Sequence, residues 1–232
     1  AGAVWYRHPS QYLTVVAVTG TKGKSTVTEM TAHLLRTHGF KVASLSTIRF
    51  MIDEEETPNL FKMTTPGRFF VQRFLRQAVD GGCTHVVLEM TSEGAKQFRH
   101  RFIEFDALIF TNLSPEHIES HGSFENYKNA KLRIAGAVFR SKKRPRFLIA
   151  NTDNEHGVDF LNFEVEHKIG YSLKDISLYT LQKESVTMVI ENTTIRVPLV
   201  GLFNVYNALA ATTLAQALGI TLATIERAFR TL

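Results

Sequence analysis

The residues most able to do chemistry are Gly20-Thr21-Lys22-Gly23-Lys24-Ser25, with Thr26 following. A glycine-containing turn that opens a helix presents free backbone N–H groups, and the helix dipole adds to their pull on an anion. Lys24 supplies a point charge for β- and γ-phosphates, and the Ser25 hydroxyl can bind Mg²⁺. The pattern falls one feature short of the general phosphate loop, which would place its first glycine at Val18. The expected ligand is therefore ATP with Mg²⁺, held by a shortened loop.

Further along, Glu89 closes an apolar run, where an acid can offer oxygen ligands to Mg²⁺. Asn112 to Gly122 (NLSPEHIESHG) carries Glu116, His117, Glu119 and His121. Such Glu/His spacing is compatible with zinc, yet no cysteine joins the histidine pair, and a surface or structural role is the simpler reading. Lys131 reads as an ordinary helix lysine. Cys83 reads as a helix-end or core thiol, and Lys142-Lys143-Arg144-Pro145-Arg146 as a solvated helix end and turn.

The elements that must position these groups follow from periodicity. Leu13 to Thr19 (LTVVAVT) is a β-branched strand, Ser25 to Thr37 a helix stopped at Gly39, and Lys41 to Ile48 a second strand, which together make a βαβ unit. The alternation continues. A helix spans Gly67 to Asp80, with Phe70, Phe74, Leu75 and Val79 near one face. A strand at Thr84 to Met90 and a helix at Ser92 to Phe102 follow. Then come a strand at Phe105 to Asn112, a helix at Phe124 to Arg140 and a strand at Arg146 to Asn151. The segment Arg49 to Lys62, with Asp53-Glu54-Glu55-Glu56, is a surface excursion or hairpin. From about residue 167 to 200 short alternating runs read as a small antiparallel meander, and two helices, Asn204 to Leu218 and Leu222 to Leu232, close the chain. The fold class is α/β: a doubly wound, mostly parallel sheet of P-loop type with about five parallel strands and that meander.

Composition agrees with this reading. Hydrophobic residues make up 44% and charged residues 21% of 232 positions, which excludes a disordered chain. No apolar run approaches the ~20 residues of a membrane helix, so no membrane partner is expected. The single cysteine rules out an internal disulfide and fits a reducing cytoplasm. The formal charge of +5 suits a phosphorylated ligand. No basic stripe interleaved with aromatics offers a nucleic-acid platform, so no nucleic acid is expected either.

Several blocks in this order, Thr19 to Thr26, Thr64-Thr65-Pro66, Thr84 to Ser92, Thr111 to Gly122, Glu125 to Lys131, Asn151 to Asp153 and Gly201 to Ala211, resemble the central ATPase domain of the Mur ligases. The MurE branch, which adds the third amino acid to UDP-N-acetylmuramoyl-dipeptide, is the nearest. The resemblance covers the chain from about His8 to its end. It implies that Gly20, Thr21, Lys22, Gly23, Lys24, Ser25 and Thr26 bind ATP, with Asn204 and Asn207 near the adenine. Lys24, Glu89, His117 and Lys131 become catalytic, and Ser25, Glu89, His117 and Lys131, the last as a carbamate, become metal ligands. Thr64, Thr65 and Ser92 would touch the substrate.

The implied partners are a nucleotide-linked muramoyl peptide and an amino acid, and the implied state is a cytoplasmic monomer. The implied organisation is one domain over residues 1–232, without the family's N-terminal UDP-binding and C-terminal amino-acid-binding domains. Lys22 stands where Asn or His is commoner, Glu116 where Asp is usual, and Thr91-Ser92-Glu93 replaces Ser-Ser-His. The competing expectations are a folylpolyglutamate- or polyglutamate-forming ligase of the same fold and a non-catalytic nucleotide-binding module.

Overall fold

A computed structural model describes residues 2–61, 63–116 and 118–232. After a short helix α1 (Gly2–Trp5), the strand β1 (Thr14–Thr19) leads into the glycine loop and helix α2 (Lys24–Thr37). Strands β2 (Val42–Leu45), β3 (Arg49–Ile52) and β4 (Glu55–Pro58) follow, then α3 (Arg68–Asp80), β5 (His85–Glu89), α4 (Ser92–Lys96), β6 (Ala107–Phe110), α5 (Ile118–His121), α6 (Phe124–Arg140), β7 (Phe147–Asn151), α7 (Gly157–Leu161) and β8 (His167–Tyr171). The chain ends with β9 (Leu178–Leu181), β10 (Val186–Ile190), β11 (Thr193–Val197), α8 (Leu202–Ala217) and α9 (Leu222–Phe229).

Among the described residues the strands form two sheets. The larger has eight strands in the order β4-β3-β2-β5-β1-β6-β7-β8, and the smaller has three in the order β11-β10-β9. From β2 to β8 every pairing is parallel, while β3 and β4 add an antiparallel edge. The excursion after Ile48 is thus a hairpin that extends the sheet. The order reverses around β1, and that reversal opens a crevice at the carboxyl edge.

Strand β1 is buried on both faces, as the strands of a parallel sheet are. Its period of two divides the core. Val16 and Val18 join a cluster with Val27, Leu34, Met188, Ala208 and Phe229, under α2, α8, α9 and the small sheet. Val15 and Ala17 face the other way, onto Phe74, Leu75, Ile134 and Ala135 of α3 and α6. The loop after β1 therefore extends from a strand packed on both faces.

Two boundaries differ from the periodicity. His167 to Tyr171, expected to open the meander, pairs in parallel with β7, and the antiparallel sheet starts at Leu178. This edge strand is largely exposed, so it lacks the apolar run that marks buried parallel strands. The helix expected over 92–102 stops after Lys96. Phe98 and Phe102 adopt left-handed backbone conformations, φ 56° and 66°, which a helix cannot continue through.

Candidate active site

The loop after β1 is fixed from below by the strand end of β6. Thr21 N donates to Asn112 O at 2.8 Å. Lys22 N donates to Asn112 Oδ1 at 3.0 Å, and the Thr111 hydroxyl donates to Lys22 O at 2.7 Å. The fit demands glycine twice. A Cβ on Gly20 would lie 1.9 Å from Thr111 Oγ1, and one on Gly23, at φ 81°, would lie 2.3 Å from Asn207 Oδ1. The first turn of α2 then brings Lys24 back over the loop, where its ammonium donates to Thr21 O at 2.8 Å. Burial pushes the Lys24 amine below its ordinary range, against the pull of Glu89 and Glu116.

Two cavities meet at this loop. One, of about 490 Å³, takes in Thr21, Lys24, Thr64, Ser92, Arg99 and Lys131. Glu89 stands beside it at the end of β5, only 1% exposed. Its carboxylate accepts from Ser25 Oγ at 2.8 Å, from Thr47 N at 2.8 Å and from Thr47 Oγ1 at 3.1 Å. Thr64 reaches the same point through the Thr47 hydroxyl, 2.8 Å away. Thr65 is buried beneath it, donating to Glu89 O at 2.9 Å. Of the expected substrate contacts, Thr64 and Ser92 line the cavity while the Thr65 hydroxyl is committed to the strand end.

Lys131 is the residue whose setting the sequence hid. It projects from α6 into the protein, 1% exposed, and donates to Gly20 O at 2.6 Å. Its ammonium sits 4.7 Å above the Tyr127 ring, and the Tyr127 hydroxyl meets Thr21 Oγ1 at 3.0 Å. Burial first, and the neighbouring Lys24 second, hold the Lys131 amine well below the ordinary lysine range. Two amines drawn out of solvent at the phosphate loop, Lys131 buried and Lys24 half-buried, are suited to anionic oxygens.

Ser25 Oγ and the Glu89 carboxylate form an adjacent pair of hard oxygen donors, the donor type Mg²⁺ prefers. Protonated Lys131 cannot ligate a cation, whereas a carbamate on it could. His117 lies outside the described residues. Among the described residues no three His, Cys, Asp or Glu side chains gather as a metal cluster, so Glu116, Glu119 and His121 do not make a zinc site with one another.

The second cavity, of about 500 Å³, opens on the other side of the loop and is lined by Lys22, Gly23, Thr26, Phe203, Tyr206 and Asn207, among others. Asn207 is held by its neighbour one turn away: its Nδ2 donates to Asn204 Oδ1 at 3.0 Å, and Asn204 Nδ2 donates to Val200 O at 2.9 Å. Asn207 therefore faces the cavity and Asn204 orients it. The Tyr206 hydroxyl donates to Asp153 Oδ2 at 3.0 Å, and Leu173 N fixes the same oxygen at 2.8 Å. A flat apolar wall beside amide groups suits a nucleobase.

The sequence reading missed Thr47, Arg99, Tyr127, Phe203 and Tyr206 as site residues. Thr47 had a usable signal, since it stands at the carboxyl end of a strand. Arg99 had none, because its place depends on the break after Lys96. There it lines the first cavity and donates to Thr65 O and Gln97 Oε1.

Comparison with known proteins identifies the family of the chain. Residues 18–215 match the model of the Mur ligase middle domain. A UDP-N-acetylmuramoyl-L-alanyl-D-glutamate–2,6-diaminopimelate ligase from Geobacillus thermodenitrificans is 33% identical over 97% of the chain and 48% of its own length. UDP-N-acetylmuramyl-tripeptide synthetase 2 from Oceanobacillus iheyensis is 31% identical over 90% of the chain and 44% of its length. A solved diaminopimelate ligase structure superposes with a TM-score of 0.82 at 27% identity, over 100% of this chain and 50% of that one. The chain thus spans about half the length of the curated relatives it matches.

Proposed function

The chain belongs to the Mur ligase family through its middle domain, and from that premise we propose that it is the ATP-binding catalytic domain of an amide ligase that extends a UDP-N-acetylmuramoyl peptide by one amino acid. The observation that carries the reading is the meeting of Lys24, Ser25, Glu89 and buried Lys131 at the phosphate loop, between a nucleoside-shaped cavity and a second cavity with room for an acceptor.

ATP lies with its base against Asn207, Phe203 and Tyr206 and its phosphates on the loop. A substrate carboxylate oxygen attacks the γ-phosphorus, the bond to ADP breaks, and an acyl phosphate forms. The incoming amine then attacks the acyl carbon, and phosphate leaves as the amide forms. The first step brings two anions together, and Lys24 offsets their repulsion. Ser25 and Glu89 would hold Mg²⁺, which would supply further neutralisation of phosphate charge. Arg99, Thr64 and Ser92 position the muramoyl peptide at the first cavity.

The low proton affinity of Lys131 supports its carbamylation. A neutral amine adds to CO₂ and releases a proton, and the resulting carbamate places an anion beside Lys24. UDP-binding and amino-acid-binding domains flank the chain, and the whole works as a cytoplasmic monomer. Among the described residues no helix is long and apolar enough to cross a membrane.

The test joins the chain to those flanking domains and measures phosphate release from ATP with UDP-N-acetylmuramoyl-dipeptide and a panel of amino acids. Release that depends on both substrates is expected. ATP turnover indifferent to the muramoyl peptide sinks the reading. Mass spectrometry at Lys131 under native conditions, with and without bicarbonate, checks the carbamate.

A further inference from the structure

Successive side chains after α4 serve different cavities. Gln97 and Arg99 line the reactive cavity, while Phe98, His100 and Arg101 line another of about 500 Å³, closed on its far side by Arg133 and Arg140 of α6. The left-handed turns at Phe98 and Phe102 bend the chain around this space. Arg101 and Arg133 both lie over the Phe98 ring, at 4.9 and 5.3 Å from its centroid.

The charges here are unbalanced. Among the described residues the arginines in ion pairs are Arg49, Arg76, Arg144, Arg146 and Arg230. Arg101, Arg133 and Arg140 have no such partner. The one carboxylate among the described lining residues, Glu104, accepts from Lys142 N at 2.8 Å, one negative charge against three arginines. At the base of the cavity His100 is only 5% exposed, and its Nδ1 is buried without a hydrogen-bond partner. This unsatisfied atom belongs to an imidazole on which the charges of Arg140, Arg133 and Arg101 act.

We propose that this cavity is a second anion site, separate from the phosphate loop, which binds a phosphate-class oxyanion through His100, Arg133 and Arg140. The anion is free phosphate or the phosphate of a larger ligand. Guanidinium forks and an imidazole N–H match its oxygens, and the Phe98 ring holds both Arg101 and Arg133 against it. Burial, reinforced by Arg140, Arg133 and Arg101, holds the His100 imidazole down to about 4. A bound anion opposes that repulsion and raises it. The site stands on this geometry alone and survives failure of the ligase reading.

The experiment follows the His100 ring by ¹⁵N NMR, assigned with His100→Gln, while the 232-residue chain is titrated with inorganic phosphate. A saturable shift at His100 and a raised titration midpoint are expected. Arg133→Gln and Arg140→Gln, both at exposed positions, each weaken the binding about tenfold, as loss of a charge-assisted bond implies. Their backbone amide spectra verify the fold. Phenyl phosphate that binds more tightly than phosphate marks the larger ligand as the source, and equal affinity marks free phosphate. The proposal is overturned by no saturable shift at His100, by a shift undiminished when Arg133→Gln and Arg140→Gln are combined in one chain, or by glutarate binding as well as phosphate.

Discussion

The two cavities beside the phosphate loop are built on opposite principles. On the nucleoside side, buried amides satisfy one another: Asn207 bonds Asn204, which bonds Val200 O. On the reactive side, Lys131 is buried and Lys24 half-buried, and the loss of solvent lowers the proton affinity of each. Neutral partners can be satisfied before any ligand arrives, whereas two such amines are best satisfied by anions. The first region is preformed for recognition. The second holds unfavourable charge until phosphate and acceptor oxygens are present, and that favours the charged transition state over the empty site.

Lys24→Ala breaks this contrast most severely. In the protein with its flanking domains it is expected to lower kcat by about 10²–10³-fold, the usual cost of losing one preorganised charge stabiliser, as steady-state phosphate release would measure. Lys131→Met comes next, with a loss of about 10²-fold if the residue acts as a metal-binding carbamate. Its thermal midpoint should hold or rise, because an apolar side chain of similar length removes a buried amine. A fall of many degrees would make Lys131 a structural residue instead.

The opposite signature is expected on the nucleoside side. Asn207→Ala removes a polar wall and strands Asn204, so ATP affinity falls about tenfold by calorimetry. With flanking domains restored, kcat at saturating ATP changes little. Equal loss of kcat would dissolve the distinction between the cavities.

The smallest effect sharpens the conditions for these comparisons. His85, stacked 4.0 Å from Phe40 and outside both cavities, is held down to about 4 by burial, with His38 adding to it. The unfolded chain therefore takes up its proton near pH 6.5 and the folded chain only near 4. The stabilising contribution is complete above pH 6.5 and is lost as pH falls through 4, about 1 kcal/mol after solvent screening. His85→Phe should flatten the fall in urea midpoint across that window.

Much of this was legible before folding. The glycines and Lys24 announced a phosphate loop because only that combination of permissive backbone and cation serves it. Glu89 was legible as the acid at a strand's end. Arg99 was not, because the pattern from Ser92 to Phe102 is compatible with a helix, and only packing turns Phe98 left-handed and sends alternate side chains to two cavities. The strand at His167 was hidden because an exposed edge need not be apolar.

By itself, the sequence determined the alternation of strands and helices, the phosphate loop and the family. These rest on local rules: periodicity of two or 3.6, and the backbone freedom of glycine at Gly20 and Gly23. Tertiary structure alone decided what Lys131 is. In sequence it is one of many helix lysines. In the fold it reaches Gly20 O across 111 positions, because β1 lies at the centre of the sheet and α6 packs along it. Its burial beside Lys24 then follows from topology, and with that burial comes the altered chemistry of its amine.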